Sequence, residues 1–320
     1  MKFLVSGLVN IETTLRVEAF PIEYSPVRYP FGGVSSSVSG VGVNVAKALK
    51  ALGDEPCFLS IVGDDEGGRE ALDALGRVGL ETDHVLPLMA ETARSVILYD
   101  GTGRRQIHVD LKDIQERRYP HEKFLDALRI SQGDEKHLAA PPCTLAAILC
   151  NINFNRSLLP LAKRMGIPIC SDVHVLSDPD DAYNADFMKA ADILFLSDEG
   201  LWAPPAEAAR ELMDKYGCRI VVVGMGARGA LLLEKGGNSL IQPAIITRLI
   251  VSTIGAGDAL FASFVHYLFA GCGARDSLIR ASAFASWKIG ARGAAEGFLD
   301  ADGIEALLVE AAAGLNPTEG

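Results

Sequence analysis

The chain has 320 residues, 49% of them apolar, and a formal net charge of −11. That length suits one large core with an appendage, and the acidic balance excludes nucleic acid and anionic membrane as main partners, since either would need a basic face. Six scattered cysteines (Cys57, Cys143, Cys150, Cys170, Cys218 and Cys272) contain no CxxC pair, which excludes a zinc or disulfide framework and fits reduced core thiols of a cytoplasmic protein.

The first apolar run, residues 3–9, is too short for a signal peptide and is followed at once by Asn10 and Glu12. It reads as a buried first strand. Residues 13–20 and 27–31 look extended around a turn carrying Pro21 and Pro26, and Gly32-Gly33 supplies a turn or hinge. Gly40-Val41-Gly42-Val43-Asn44 then opens a helix over 43–52. Small residues let the backbone approach a ligand there, and Asn44 offers both a donor and an acceptor; an ordinary helix start with an Asn cap is the plainer alternative. A strand at 57–62 precedes Asp64-Asp65-Glu66, an acidic entry to a helix over 68–78 that favours its dipole. Residues 93–99 and 106–111 alternate in the strand manner around Asp100-Gly101-Thr102-Gly103, which predicts a β-hairpin.

Beyond it, strands at 145–150, 167–172, 192–197 and 219–224 alternate with helices at 157–165, 182–190, 205–216, 257–270 and 274–291. Strands apolar throughout and separated by helices mark a parallel sheet covered on both faces. The reading is an α/β fold with a doubly wound, mostly parallel sheet at 1–9, 32–92 and 112–320, and a small β-sheet lid from 10–31 and 93–111. No run reaches membrane-spanning length, and the tail at 316–320 is expected to fray.

Gly224-Met225-Gly226-Ala227-Arg228-Gly229 matches GxGxxG, but Ala230-Leu231-Leu232-Leu233-Glu234 reads as a second strand where a dinucleotide fold needs a helix. That loop either lines a nucleotide, with Arg228 on a phosphate, or is a tight turn. His174 sits just past the strand ending at Asp172, at the carboxyl edge where such sheets bind ligands; a solvated loop histidine is the alternative. The six histidines show no metal-ligand spacing.

Ser252-Thr253-Ile254-Gly255-Ala256-Gly257-Asp258 carries the most chemistry. Small residues crowd into a turn, a helix begins at once, and its first N–H donors converge unpaired on one point. With roughly half a positive charge from the macrodipole, this makes an anion cradle with a carboxylate on its rim. Phosphoryl transfer needs that pairing: donors for migrating negative charge and a base for a hydroxyl proton. A glycine-rich turn is the plain alternative.

Taken in order, these segments resemble the ribokinase-like (PfkB) family of carbohydrate and nucleoside kinases. Gly40-x-Gly42-x-Asn44-x-Ala46 with Gly53 and Gly63 matches its early signature, and Thr253, Gly255, Ala256, Gly257 and Asp258 match its late one. The resemblance covers essentially the whole chain, lid included. It implies that Asp258 is the base and that Gly255, Ala256 and Gly257 form the anion hole. ATP would lie along Gly226, Arg228 and Gly229, by Ile254, and against the helix carrying Ala283, Ser286 and Gly290. Asn10, Glu12, Gly40 and Asn44 would grip the sugar. Mg2+ would bridge the donor phosphates, largely through water, with Glu199 in support.

Three positions depart from the family pattern. Ser252 replaces an Asp tied to a monovalent-cation site, so potassium activation does not carry over. Leu196-Ser197-Asp198-Glu199 keeps the acid of the magnesium motif without its Asn, and Glu12 replaces the usual Asp. The expected activity is ATP-dependent phosphorylation of a hydroxyl on a small sugar or sugar-like alcohol. A nucleoside kinase with Phe154, Phe20 or Tyr29 against the base is the alternative, or a non-catalytic sugar or nucleotide sensor on the same scaffold. A phosphosugar acceptor would want clustered basic residues near the lid, where Arg104-Arg105 stand out. A homodimer through the lid is expected.

Overall fold

The computed structural model describes residues 1–129 and 146–312; His137, Cys143, the first residue of the 145–150 run and the tail at 316–320 lie outside them. In chain order the strands are β1 (Lys2–Ser6), β2 (Asn10–Arg16), β3 (Val34–Ser39), β4 (Glu55–Gly63), β5 (Val85–Met89), β6 (Arg94–Tyr99), β7 (Arg105–Asp110), β8 (Ala146–Leu149), β9 (Ile169–Val175), β10 (Ile193–Ser197), β11 (Ile220–Gly224), β12 (Ala230–Glu234) and β13 (Leu240–Gln242). The helices are α1 (Val41–Ala51), α2 (Glu66–Arg77), α3 (His121–Ala127), α4 (Leu159–Arg164), α5 (Ala185–Ala190), α6 (Pro205–Tyr216), α7 (Ala256–Phe269), α8 (Ala274–Lys288) and α9 (Ala301–Ala312).

Among the described residues, nine strands form one sheet in the order β13-β12-β11-β10-β9-β8-β1-β4-β5. It is parallel except that β12 runs against β11 and β13 against β12. Strands such as Ile193–Leu196 and Ile220–Val223 are buried at every residue, because side chains alternate between two helix-covered faces. Phe3, Val5, Phe195 and Val222 meet the layer of α1, α2, α7 and α8. Leu4, Leu194, Leu196 and Val221 meet α3 to α6 on the other side.

Helix α7 is apolar nearly all round because it runs through the first of these layers, against α1 and α8. Its Phe261 and Phe264 rings lie 4.8 and 5.3 Å from that of Phe195. Burying each such ring is worth about 1.5–3 kcal/mol, so the start of α7 is fixed from within. Asp65 caps α2, accepting from Gly68 N at 2.8 Å, and also takes Thr92 Oγ1 at 2.6 Å. This ties the acidic helix entry to the segment leading into β6.

The small sheet has the order β3-β2-β6-β7, with β2 and β6 parallel and the outer pairs antiparallel. The hairpin at 93–111 is as expected, but the partner of β2 is not residues 27–31. That segment forms no strand; the chain from Val17 to Gly33 is irregular and mostly exposed, since Pro21, Pro26 and Pro30 remove ladder donors. Val34–Ser39, assigned above to the larger unit, takes the place instead. Val96 is exposed on one face of the sheet, and Ile107 and Val109 are exposed on the other, which they share with Ile97. No helix among the described residues is long and apolar enough to cross a membrane.

Candidate active site

Gly255 lies at φ 75°, the left-handed region, immediately before α7. A Cβ at this position would also come within 2.5 Å of Ala294 O, so glycine is needed for both conformation and space. The amide of Ala256 bonds Thr253 O at 3.3 Å and that of Ala259 bonds Gly255 O at 3.0 Å. Between them, the amides of Gly257 and Asp258 find no backbone acceptor among the described residues. Gly257 is exposed with open space beside it. The first turn of α7 thus meets open space at Gly257.

Asp258, in the first turn of α7, is 9% exposed and sits just beneath that opening. Asn44 Nδ2 donates to its Oδ2 at 2.6 Å. Burial raises the Asp258 pKa above the ordinary carboxylate value; the charge of His174 and the Asn44 hydrogen bond oppose the rise, and Asp172 adds to it. A carboxylate held in place but made more basic is suited to accept a proton.

Asn44 is placed by the start of α1, where Gly40 has φ 112° and a Cβ would meet Leu8 O at 2.4 Å. The Ser39 hydroxyl donates to Asn44 Oδ1 at 3.2 Å and sits close enough to the Glu12 carboxylate to influence its protonation. A chain of buried polar groups thus runs from β2 through β3 and α1 to α7. Glu12 is pushed up by burial, held down by the Ser39 hydroxyl, and pushed up again by Asp258. Asn10 donates to Ser95 Oγ at 2.7 Å, across to β6. Among the described residues, Asn10 Oδ1 and Glu12 Oε1 find no hydrogen-bond partner, and both are buried. Such orphaned acceptors are costly unless a ligand donates to them.

At the end of β9, His174 Nδ1 is 3.2 Å from Asp172 Oδ2, and one ligand atom each of Asp172, His174 and Asp258 lie within 4.8 Å of one another. His174 adopts φ 58°, with its amide on Asp172 Oδ1 at 2.8 Å. Burial alone would lower its pKa, but the charge and hydrogen bond of Asp172 and the charge of Asp258 push it up to about 9. The ring is 39% exposed, so water screens part of this attraction. These three groups could hold a cation, yet a charged imidazole already balances one acid.

The nucleotide-side residues are arranged differently. Arg228, in the turn of Gly226 and Gly229 between β11 and β12, pairs with Asp198 at the end of β10. Ala283 and Ser286 are buried on α8, and Ser286 Oγ is 3.2 Å from Thr247 N and 3.0 Å from Thr247 Oγ1. Gly290 is covered by the Arg248 guanidinium, which lies 4.1 Å over the Trp287 ring. Glu199 is exposed. Through these contacts the residues meet Asp198, Thr247 and Arg248, and none of the contacts is with Asp258. Phe154 lies in the second core layer, so packing rather than a base slot accounts for it. Tyr29 is exposed on the irregular segment, its ring 6.2 Å from that of Phe31.

Three features escaped the sequence reading. Ser39, beside Glu12, donates to Asn44, and Lys288 Nζ donates to Ile254 O from α8. The hairpin also rests on the anion-cradle segment: Arg105 Nη1 donates to Thr253 Oγ1 at 3.0 Å, that hydroxyl lies 3.3 Å from Gly103 O, and Ile97 packs on Ile254.

A sequence profile of the pfkB family of carbohydrate kinases matches residues 2–301. An ATP-dependent ribose-1-phosphate kinase of Halopiger xanaduensis is 30% identical over 268 residues, which are 83% of this chain and 84% of that one. A ribokinase of Arabidopsis thaliana is 24% identical over 95% of this chain and 80% of its own. Among solved structures, a microbiome-derived acarbose kinase superposes with a TM-score of 0.83 at 24% identity, over 96% of this chain and 98% of that one. Ribokinase of Arabidopsis thaliana complexed with ribose and ATP gives 0.75 at 21% identity, over 96% and 98%. The structural likenesses establish the fold.

Proposed function

The chain belongs to the pfkB family of carbohydrate kinases, and from that premise we propose that it transfers a phosphoryl group from ATP to a hydroxyl of a small sugar or sugar-like alcohol. The observation that carries this reading is the run of buried polar groups from Glu12 to Asp258, which ends at the start of α7. The Ala256 amide of the expected anion hole is taken by Thr253 O, and the amides of Gly257 and Asp258 are the ones with no backbone acceptor among the described residues. Asn44 engages one oxygen of Asp258 and leaves the other for the acceptor hydroxyl. Burial keeps that carboxylate basic enough to take the proton. The first-turn amides and the macrodipole of α7 then stabilise the charge on the migrating group. Asn10 Oδ1 and Glu12 Oε1 fit a substrate rich in hydroxyl donors.

Magnesium, when bound with the nucleotide, would spread the charge of the donor phosphates. Asp198 is committed to Arg228, so Glu199, with its exposed carboxylate, is the acid suited to reach such an ion through water. The hairpin over Thr253 and Ile254 would keep bulk water from the donor.

A second reading, an anionic phosphosugar acceptor, is supported by His174. Against the pull of burial, Asp172 and Asp258 favour the charged form of its imidazole, and the 30% identical relative is an ATP-dependent ribose-1-phosphate kinase. An ADP-release assay over free sugars, sugar phosphates and nucleosides separates the two. Asp258→Asn should keep its fold and its binding of a non-hydrolysable ATP analogue while losing at least ~10²-fold in turnover. Turnover equal to that of the unaltered protein would refute the assignment.

A further inference from the structure

Lys288, at the end of α8, is fully buried, and the site described so far does not use it. An ammonium removed from water is costly unless it is paired. Its Nζ donates to the carbonyl oxygen of Ile254. Burial pushes the ammonium down to about 8 against the opposing pull of Asp258, Glu12 and Glu296, with Arg248 adding repulsion.

The identity of that acceptor matters. Ile254 O is the carbonyl four residues before Asp258, the one its amide would take if α7 began earlier. With the ammonium on it, α7 starts at Ala256, and the amides of Gly257 and Asp258 keep no backbone acceptor among the described residues. The rest of this peptide unit is held as well. The Ile254 amide donates to Ser252 Oγ at 3.3 Å, and its side chain packs on Ile97 and Ala294. Among the described residues, Lys288 is therefore the buried cation that touches the backbone of the cradle from inside the core.

We propose that Lys288 is a positioning residue. Its ammonium pins the Ile254 carbonyl, leaves the first-turn amides of α7 free for an anion, and supplies a built-in positive charge to balance Asp258 and Glu12. The catalytic consequence rests on the kinase reading; the pinning does not.

The test uses Lys288→Met and Lys288→Gln in the full chain, followed by hydrogen exchange, thermal melting and phosphoryl transfer to an acceptor the unaltered protein accepts. Exchange should quicken in peptides covering 252–258 and nowhere else. Turnover should fall about 10²-fold, the scale for losing one anion-hole donor, with little change in acceptor KM. Added methylammonium should restore part of the turnover in Lys288→Met. Unaltered exchange at 252–258 together with unaltered kcat would overturn the proposal. So would loosening spread over the whole domain with kcat and KM degraded together, the mark of a merely structural lysine. If the unaltered protein phosphorylates nothing while the variants still loosen only at 252–258, the kinase reading fails and the pinning stands.

Discussion

Asn10, Glu12, Ser39, Asn44 and Asp258, which on the proposed reading face the acceptor, are buried, whereas Gly226, Arg228 and Glu199, which on that reading face the donor, stand in solvent. Ser39, Asn44 and Asp258 bond in series across three elements, Asn10 bonds Ser95, and among the described residues Asn10 Oδ1 and Glu12 Oε1 remain unfilled. On the donor side, Arg228 is already paired with Asp198. The difference is energetic. A buried unpaired acceptor costs about 1–3 kcal/mol, while an exposed ion pair contributes about 0–1 kcal/mol. On the proposed reading, the acceptor half would therefore discriminate strictly between ligands, and the donor half would rely on backbone and shape.

The largest test of this contrast is Asn44→Ala. It should lower kcat about 10²-fold, and the loss should depend on pH. Burial raises the Asp258 pKa and the Asn44 hydrogen bond opposes the rise. Removing that bond raises it further, and since the carboxylate is the active form, the acid limb of the kcat profile should move to higher pH. A pH–rate profile whose acid limb stays in place would break the assignment of Asn44 to the base.

Glu12→Gln should act next in size. Losing a hydrogen bond to a charged group is worth about 1.5 kcal/mol, so acceptor KM should rise about tenfold while ATP KM holds. Steady-state kinetics with each substrate varied in turn checks this; equal movement of both KM values would erase the distinction between the halves. Arg228→Ala should have the smallest effect. Its side chain is 66% exposed, so ATP KM should rise at most about threefold and the melting temperature should barely change. A tenfold or larger loss of ATP affinity would mean that the donor half depends on side chains after all.

The main sheet was legible because its strands are buried on both faces, so runs such as Val221-Val222-Val223 announce themselves without their neighbours. Asp258 and Asn44 were legible because the turns that carry them demand small residues in fixed order. Strand β3 was not. Val34-Ser35-Ser36-Ser37-Val38-Ser39 has almost no apolar alternation, and what makes it a strand is the backbone ladder to β2. Residues 27–31 drew attention instead, since Val27, Tyr29 and Phe31 mimic a strand whose prolines forbid the ladder. Helix α9 went unread, although Ala301–Ala312 is rich in helix formers. A lysine near a helix end ordinarily reads as a solvated charge complementing the dipole. That Lys288 points inward depends on Ile254, Asp258 and Glu12, which no local pattern brings together.

The hairpin turn touches the very segment that would cradle the migrating phosphate, through Arg105, Gly103 and Ile97 on Thr253 and Ile254. On the kinase reading, admitting solvent and relaxing the cradle become a single event. Departure of the phosphorylated product then requires the cover to release the structure that made the product. A water molecule arriving through the same gap meets a loosened cradle, and futile loss of the nucleotide is suppressed without a separate safeguard.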